Sequence, residues 1–350
     1  MQFIEPAELK RKIDNGDNLL LLDVREPFEY EEWHIAGAVN VPVGNIMAGE
    51  MPDAEGKEIV AICMHGIRSG RIAQLLENQG LPVSTLKGGM VAWNGVYDVA
   101  DLGNILQFRR VGKGCLSYMI MSDGAAVVVD PAIDINAYIE EAEKRNLKIA
   151  AVFDTHAHAD HVSGARLLSE ELDVPYYSSS EVPFGKPLKE GKINLGSGEI
   201  EVLSTPGHTP GSLTYLFQNC AITGDTLFVE SVGRPDLGQN AGENGKILFN
   251  TLQNVVLRFS DEIKVLPGHV GQNVETKAGM PVTASLRELK INLPALTMTS
   301  ADFIDWVVKN AAPKPANFEF IKQINLGKMQ VPELEEIREL EAGPNRCAVA

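Results

Sequence analysis

Histidine and aspartate side chains follow the ends of several apolar, strand-like segments in the middle of the chain. The chain has seven histidines, and five of them belong to this pattern. Imidazole and carboxylate groups at the ends of separate strands meet on one rim of a sheet, and such donors bind a divalent metal ion. A single histidine in such a place usually only completes the core, whereas the repeated pattern predicts a metal site. The residues concerned are His156, His158, Asp160, His161, His208, Asp225 and His269.

A second reactive group is predicted where an apolar strand ends at Cys63 and a helix begins at Ser69. The turn between them contains His65, Gly66 and Arg68. Such a turn directs backbone N–H groups and the positive end of the helix dipole at the sulfur. With Arg68 and His65 nearby, this environment favours the thiolate, which is the nucleophilic form. A small buried residue at a strand end is the alternative, but the glycine, the arginine and the helix start favour the nucleophile.

The elements that must position Cys63 alternate between strand and helix. Such alternation predicts a parallel sheet covered by helices on both faces. It stops at residues 98–104, so we expect a first domain at 1–100 and a second at 104–350 that ends in a helical tail. The segments concerned are helices at 6–15 and 69–79, and strands at Leu19–Asp23, 58–63 and Val83–Leu86.

The elements that must position the histidines begin with three strand-like segments and end in loops and helices. Asp134 is a plausible N-cap for the first helix and Ser300 for the last. A Gly-rich loop is expected at 233–245, and Pro313-Lys314-Pro315 breaks the last helix. The predicted strands are Ile105–Arg110, 116–121, 125–130, 149–154, several between 193 and 224, and 263–266, and the predicted helices are 135–145, 246–258 and 301–310.

The composition limits the classes of protein to which the chain can belong. The chain has 350 residues, of which 44% are hydrophobic, and a formal net charge of −16. That charge disfavours nucleic acid and anionic membranes as partners. Four cysteines are too few for a disulfide framework, which indicates a reducing compartment. Neither a signal peptide nor a bilayer-spanning apolar run is evident, so we expect a cytoplasmic protein.

The loop from Cys63 to Ser69 resembles the active-site loop of rhodanese sulfurtransferases, and the resemblance covers about residues 1–98. It implies that Cys63 carries a transferred sulfane sulfur as a persulfide, stabilised by the loop amides, including that of Gly66, and by Arg68. Four residues separate Cys63 from Arg68, a shorter cradle than the related phosphatases use for phosphate. Further matching stretches are Leu22–Glu26, His34–Pro42, and Lys87-Gly88-Gly89 with Trp93.

Residues 105–275 resemble the metallo-β-lactamase fold, an αββα sandwich, and two branches of it are closest: glyoxalase II and the persulfide dioxygenases. The stretches around Cys115, His156 and Asp225 favour the second branch, as does the tail at 303–315. That resemblance implies one Fe(II) per chain, held by His156, His208 and Asp225, with Arg234 a candidate contact for an anionic substrate. The remaining residues, which would orient the ligands or bind a second metal in the hydrolase branch, are His158, Asp160, His161 and His269.

One stretch departs from the dioxygenase pattern. That branch has an acidic and then an aromatic residue after the last histidine, whereas here His269 is followed by Val270-Gly271-Gln272-Asn273. For the remaining cysteines we expect mainly structural roles. Cys220 is expected in the core and Cys347 idle near the chain end, while Cys115 is open between packing and a redox role.

Three hypotheses follow. The first is a fused enzyme that oxygenates a small persulfide, such as glutathione persulfide, to sulfite and thiol with O2, coupled to rhodanese transfer at Cys63. The second is a dinuclear zinc thioesterase of the glyoxalase II kind attached to a sulfur carrier. The third is a persulfide sensor with an inert metal fold. The identity of the thiol, the direction of transfer and a possible homodimer stay open.

Overall fold

The chain divides into two units in the computed structural model, which describes residues 2–237, 240–271, 274–311, 314, 317–345 and 347–349. The first unit comprises Met1–Asp98 together with two later segments, Arg110–Lys113 and Glu335–Pro344. The second unit comprises Val99–Arg109, Gly114–Leu334 and Asn345–Ala350. The chain passes from the first unit to the second at residue 98, where the alternation of strand and helix stops. No local sequence pattern predicts that residues 110–113 and 335–344 return to the first unit.

A parallel sheet of five strands, in the order β1-β5-β4-β2-β3, organises the first unit. The apolar runs of β2 and β4 are buried because helices lie on the faces of the sheet, as is usual for parallel strands. Strands β2 and β4 pair in register, with Leu21 opposite Val60. The strands are β1 (Gln2–Ile4), β2 (Leu19–Asp23), β3 (Val39–Asn40), β4 (Glu58–Ile62) and β5 (Val83–Leu86), and the helices are α1 (Pro6–Asp14), α2 (Pro27–Glu32), α3 (Val43–Met47), α4 (Ile67–Asn78) and α5 (Gly89–Trp93).

A buried ion pair closes the end of β2. Arg25 Nη2 lies 2.7 Å from Asp23 Oδ2, and both side chains are fully buried. The same Arg25 nitrogen donates to the carbonyl of Trp33 at 2.6 Å. These contacts fix the turn between β2 and α2, so the two charged residues support the framework of the unit.

The later segments join the first unit through a second buried ion pair. Arg110 Nη1 lies 2.6 Å from Glu341 Oε2. The carbonyl of Glu341 accepts from Asn94 Nδ2 at 3.1 Å and from Lys113 Nζ at 2.8 Å. The C-terminal helix α12 (Leu334–Leu340) therefore lies mostly in the first unit and not in the second, where the expected boundaries would put it.

Two sheets form the second unit. In the first, β7 to β9 are antiparallel and β9 to β12 are parallel; in the second, only β16 and β17 are parallel. The first sheet contains β6 (Tyr97–Asp101), β7 (Ile105–Arg110), β8 (Leu116–Ser122), β9 (Ala125–Val129), β10 (Lys148–Phe153), β11 (Tyr176–Ser178) and β12 (Lys186–Pro187). The second contains β13 (Gly191–Leu195), β14 (Gly198–Ser204), β15 (Leu213–Phe217), β16 (Cys220–Gly224), β17 (Lys264–Pro267) and β18 (Ala284–Ser285).

The core of the second unit lies between the two sheets. Tyr118 and Val129 of the first sheet pack in one apolar cluster with Val202 and Tyr215 of the second. Helices α6 and α7 contact β10, while α8, α9 and α10 pack against the outer face of the second sheet. This is the expected αββα sandwich. The remaining helices are α6 (Asn136–Lys144), α7 (Ala165–Leu172), α8 (Ala241–Asn254), α9 (Leu286–Asn292), α10 (Ser300–Lys309) and α11 (Phe318–Asn325), with short 3-10 turns at Val256–Arg258 and Pro294–Leu296.

Several predicted helix ends were wrong. Helix α6 has Ile135 at its N-cap and not Asp134, and α10 is capped by Thr299, whose Oγ1 accepts from the Asp302 amide at 3.3 Å, one residue ahead of Ser300. Helix α8 begins at Ala241, inside the expected Gly-rich loop, and its Gly245 packs against Val307 of α10.

Some residues named in the sequence analysis lie outside the described part of the chain. They are Pro313 and Pro315 of the expected helix break, and Gln272 and Asn273 after the last histidine. Within the described part of the chain, none of the helices combines the length and the apolar character needed to cross a bilayer.

The Asp23–Arg25 pair predicts a measurable loss of stability. Asp23→Ala leaves a buried guanidinium without its carboxylate, so we expect the free energy of unfolding of the first unit to fall by about 3–5 kcal/mol. Urea denaturation followed by tryptophan fluorescence measures it, since Trp33 and Trp93 are buried in this unit. Glu5→Ala, which removes an exposed pair with Lys87, is the control and should cost less than about 1 kcal/mol. Equal losses in the two variants would contradict a framework role.

Candidate functional site

Three predicted ligands meet at one rim of the sandwich. His156 follows β10, His208 lies between β14 and β15, and Asp225 follows β16 directly. Asp225 Oδ2 lies 3.7 Å from His156 Nε2 and 3.4 Å from His208 Nε2. The ligand atoms of the three residues all lie within 4.8 Å of one another, and the side chains are buried. The rim therefore holds two imidazoles and a carboxylate around one point.

The atoms that face this point have no hydrogen-bond partner. His156 Nε2, His208 Nε2 and Asp225 Oδ2 are all buried and unpaired. A buried polar atom without a partner costs about 1–3 kcal/mol, and more when it is charged, so three such atoms aimed at one point need an occupant. Two nitrogen donors and one carboxylate oxygen fit a divalent transition metal ion.

The opposite atom of each ligand is held by the protein. His156 Nδ1 lies 2.9 Å from Thr155 Oγ1, and His208 Nδ1 lies 3.0 Å from the carbonyl oxygen of Arg234. Asp225 Oδ1 lies 2.7 Å from His269 Nδ1. Such contacts fix the orientation of metal ligands, so the three donors are already in place before an ion arrives.

The electrostatics of the rim favour the metal-binding forms of these side chains. Burial lowers the pKa of His156 well below its ordinary value, and the nearby His158 lowers it further. Burial also lowers the pKa of His208. Burial opposes ionisation of Asp225, but His269 and His156 outweigh it and hold the pKa of that carboxyl well below its ordinary range. Neutral imidazoles and a charged carboxylate are the forms that bind metal.

A second group of predicted residues forms around Asp160. Its Oδ2 accepts from Cys115 Sγ at 3.0 Å and lies 2.8 Å from His269 Nε2, while His161 Nδ1 lies 3.1 Å from its Oδ1. The four ligand atoms lie within 4.8 Å of one another. Burial opposes the charged imidazolium, but Asp225 and Asp160 outweigh it and raise the pKa of His269 well above its ordinary value. His269 thus bridges two carboxylates with both ring nitrogens.

His158 belongs to neither group. Its Nε2 lies 3.1 Å from Asp130 Oδ1, and Asp154 completes a third cluster. Asp154 accepts from Tyr176 Oη at 2.6 Å, and burial raises the pKa of Asp154 to about 6. The ring of His158 nevertheless lies close to that of His156, with centroids 4.2 Å apart, and its Nδ1 is buried without a hydrogen-bond partner.

One buried side chain that holds this loop was missed by the sequence analysis. Asn325 of α11 donates from Nδ2 to the carbonyls of His158 and His161, at 2.9 and 2.8 Å, and accepts from the Ser163 amide at 3.0 Å. An asparagine on an amphipathic helix carries no local signal for such a role, because its partners lie more than 160 positions away in the chain.

The side chain of Arg234, the predicted substrate contact, pairs with Asp236. Its side chain is buried, and its Nε and Nη2 lie 2.7 and 2.9 Å from the carboxylate oxygens of Asp236. Its contribution to the site is the backbone carbonyl that holds His208. The neighbouring Gly233 must be glycine, because a Cβ atom there would lie 1.8 Å from the carbonyl oxygen of Asp225.

Cys347 also lies at the rim, which the sequence analysis did not expect. Its side chain is 4% exposed, and its ligand atom lies within 4.8 Å of those of Asp225 and His269. Burial and the carboxylates of Asp160 and Asp225 raise the pKa of the Cys347 thiol well above its ordinary value. The residue is therefore part of the site and not an idle side chain at a chain end.

In the first unit, the loop after β4 holds the predicted nucleophile. The Gly66 amide donates to Cys63 Sγ at 3.1 Å. Gly66 caps α4 with φ +86°, a left-handed conformation that favours glycine. The backbone therefore directs a donor at the sulfur, as the turn predicted.

The charged residues of this loop have partners that the sequence did not reveal. Arg68 makes a bidentate pair with Glu29 of α2, with both N–O distances 2.7 Å. The hydrogen bond to Glu29 raises the pKa of Arg68. His65 Nε2 lies 3.0 Å from Glu339 of α12. Glu29 and Glu339 thus control two side chains expected to act at Cys63.

Comparison with known proteins gives the chain its family. The rhodanese-like domain family matches residues 5–95, and the metallo-β-lactamase superfamily matches residues 110–184 and 179–270. A probable metallo-hydrolase, YqgX of Bacillus subtilis (strain 168), is 30% identical over 47% of this chain and 90% of its own length. The chain belongs to the metallo-β-lactamase superfamily. Its N-terminal part is a rhodanese-like domain, so the expected fusion is confirmed.

One relative is named a persulfide dioxygenase, and a solved structure carries the same ETHE1 name. The mitochondrial persulfide dioxygenase ETHE1 of Bos taurus is 26% identical over 61% of this chain and 84% of its own length. The crystal structure of ETHE1 from Myxococcus xanthus superimposes with a TM-score of 0.58 at 26% identity, covering 63% of this chain and 97% of that one. These similarities support a persulfide-related enzyme, whereas YqgX is named a hydrolase.

The three unpaired donors predict how metal affinity depends on Asp225. Asp225→Ala removes the only charged ligand, so we expect metal affinity to fall by more than about 100-fold, beyond the 10–100-fold typical for loss of an orienting partner. Thr155→Val removes the hydrogen bond to His156. We expect its loss of metal affinity to lie within this 10–100-fold range. Asp305→Ala on the exposed side of α10 is the matched control. Metal analysis after dialysis measures all three, and wild-type metal content in Asp225→Ala would show that the ligands are assigned wrongly.

Proposed function

We propose that this chain is a persulfide dioxygenase fused to a rhodanese sulfurtransferase. The substrate is a low-molecular-weight persulfide, with glutathione persulfide as the candidate. Its terminal sulfur is oxidised to sulfite as O2 is reduced, water supplies the remaining oxygen, and the thiol is released. Similarity to persulfide dioxygenases and the rhodanese-like domain both support chemistry on sulfane sulfur.

The observation that carries this proposal is the set of three unpaired donor atoms. His156, His208 and Asp225 would hold a single Fe(II). Nearby, Cys115 and both ring nitrogens of His269 are engaged by the carboxylates of Asp160 and Asp225, while His158 Nδ1 and His161 Nε2 are also buried without a hydrogen-bond partner. A site of two histidines and one carboxylate leaves positions open on the ion. A bound iron ion would supply the redox chemistry with O2 and a binding position for the sulfur.

The chain's own residues hold the donor set rigid. Thr155, the Arg234 carbonyl and His269 each fix one ligand, and Asn325 fixes the loop that carries His158 and His161. The burial of the three ligands excludes bulk water from the reacting sulfur. Charge interactions strengthen where water is excluded, which favours binding of an anionic persulfide beside a cation.

In the first unit, Cys63 would accept a sulfane sulfur from thiosulfate or another donor and pass it to a thiol. The Gly66 amide and the N-terminus of α4 stabilise negative charge on that sulfur. Arg68 contributes less than the loop alone would predict, because Glu29 shares its charge. Carrying both activities on one chain raises the local concentration of the shared persulfide.

One observation favours a second function. Asp160, His161 and His269 lie together beside the first three ligands, and such a set can bind a second ion in zinc hydrolases. The similarity to a probable metallo-hydrolase agrees with it. The alternative is therefore a dinuclear zinc thioesterase acting on a glutathione thioester, in which Asp160, His161 and His269 would help to hold a second ion and the bound zinc would activate water.

Metal content and oxygen uptake test the proposal together. We expect about one iron per chain in protein purified without air, and uptake of O2 that depends on glutathione persulfide and forms sulfite. An oxygen electrode and sulfite assay measure the reaction. Two zinc ions per chain, with thioester cleavage and no oxygen uptake by the iron-loaded protein, would establish the hydrolase instead.

The two activities should separate by mutation. Cys63→Ser removes the sulfur nucleophile, so thiosulfate:thiol sulfur transfer should be lost, while oxygen uptake with added glutathione persulfide should remain largely intact. Cys220→Ser is the matched control and should leave both activities unchanged. Loss of both activities in Cys63→Ser would contradict independent sites.

A further inference from the structure

The loop that carries Cys63 contains one arginine, and a carboxylate already pairs with it. Arg68 Nη1 and Nη2 each lie 2.7 Å from an oxygen of Glu29. The side chain of Glu29 is 16% exposed and that of Arg68 is 37% exposed, so water screens this pair only in part. The guanidinium expected to stabilise a sulfur anion at Cys63 is therefore largely neutralised before any donor binds.

Glu29 is held in a fixed, charged form. Its Oε2 accepts from the Glu26 amide at 3.0 Å, where helix α2 begins. The hydrogen bond from Arg68 lowers the pKa of Glu29 below its ordinary value. The carboxylate is thus ionised at neutral pH, and it is bonded both to the start of its own helix and to the arginine.

Further carboxylates lie near the same loop. His65 Nε2 lies 2.9 Å from Glu339 Oε1, and Glu339 belongs to the first unit. The hydrogen bond to Glu29 is the main cause that raises the pKa of Arg68, and the nearby Cys63 and Glu26 raise it further. Each basic side chain of the loop therefore faces at least one carboxylate.

Backbone groups supply the remaining positive charge at the sulfur. The Gly66 amide donates to Cys63 Sγ at 3.1 Å, and helix α4 begins at the next residue. The N-terminus of a helix acts as roughly half a positive charge. Such partial charges suit a single anionic sulfur, whereas thiosulfate would bring two further negative charges to the loop.

We propose that Glu29 determines the charge specificity of the Cys63 site. By neutralising Arg68, it selects sulfur donors that carry at most one negative charge at the reacting group, such as organic persulfides, over thiosulfate. Glu29 acts through Arg68 and does not touch the donor. The inference rests on the proposed sulfurtransferase activity and names its donor class, which is also the substrate class proposed for the metal site.

The transfer from a persulfide brings little charge to the loop. The Cys63 thiolate attacks the outer sulfur of RSSH, so one S–S bond forms and the S–S bond of the donor breaks. RS⁻ leaves and takes up the proton of the persulfide as RSH, while Cys63 keeps the outer sulfur as a persulfide anion. One negative charge is present before and after the step. With thiosulfate the same displacement releases sulfite and places three negative charges together.

Two donors with the same chemistry and different charge test the proposal. Thiosulfate has two negative charges, whereas methanethiosulfonate has a methyl group in place of one anionic oxygen and carries one. We expect the wild-type full-length chain to prefer methanethiosulfonate about tenfold in kcat/KM, because one less charge is repelled. Cyanide is the common acceptor, and thiocyanate formation measures the rate. Each constant is divided by the rate constant of the same donor with free cysteine, which corrects for the different leaving groups.

Removal of the Glu29 charge should abolish this preference. Glu29→Gln keeps the shape of the side chain and frees the charge of Arg68, so kcat/KM for thiosulfate should rise several-fold while that for methanethiosulfonate changes little. Glu31→Gln is the matched control, since Glu31 is an exposed residue of the same helix and its loss changes the net charge equally. It should leave both constants unchanged, which separates the local effect from the overall charge of −16.

The remaining outcomes overturn the proposal in distinguishable ways. A parallel rise or fall for both donors in Glu29→Gln would show that Glu29 only shapes the loop. Equal corrected constants for the two donors in the wild type would leave the sulfurtransferase standing and remove the charge selection, even where the variant fails to fold. Absence of transfer from either donor in the wild type would overturn the proposed sulfurtransferase activity and the inference with it.

Discussion

Three buried polar atoms without partners impose the main constraint on the second unit. His156 Nε2, His208 Nε2 and Asp225 Oδ2 give up hydrogen bonds to water on folding and gain none from the protein. The sandwich must therefore supply enough apolar burial to offset this cost until a cation arrives. The large core between the two sheets, with Tyr118 and Tyr215 fully buried, provides it. Stability and metal binding are linked, since an ion that binds only the folded state stabilises it.

Both reactive centres use the same construction, in which the ends of strands present the reactive groups and neighbouring backbone groups fix them. Cys63 follows β4 and receives the Gly66 amide, whereas Asp225 follows β16 and lies against Gly233. The candidate reactive side chains lie in loops that follow strands and are held by hydrogen bonds. The residues that hold them, Asn325 and Glu29 among them, come from helices distant in the chain. Precision at each centre thus depends on long-range packing.

The sequence predicted those parts of the molecule whose cause is local. Leu19–Asp23, Val83–Leu86 and Ile105–Arg110 are strands with the predicted bounds, because buried strands need continuous apolar runs. The same apolar runs showed that the histidines follow strand ends, which predicted that they meet at one rim of the sheet. Cys347, Glu339 and the Arg110–Glu341 pair could not be predicted, since each meets its partner across a long stretch of chain and no periodicity encodes that meeting. Helix ends could not be predicted to the residue: α6 begins after Ile135 without a side-chain cap, and α10 is capped by Thr299, one residue ahead of Ser300.

The return of residues 335–344 to the first unit has a consequence for biosynthesis. Domains usually fold as they leave the ribosome, starting from the N-terminus. Here Arg110 stays without its buried carboxylate partner until Glu341 has been translated, after nearly all of the second unit. At ordinary elongation rates that interval lasts roughly ten to fifty seconds. The buried ion pair of the rhodanese-like domain is therefore completed only after nearly all of the second unit has been made.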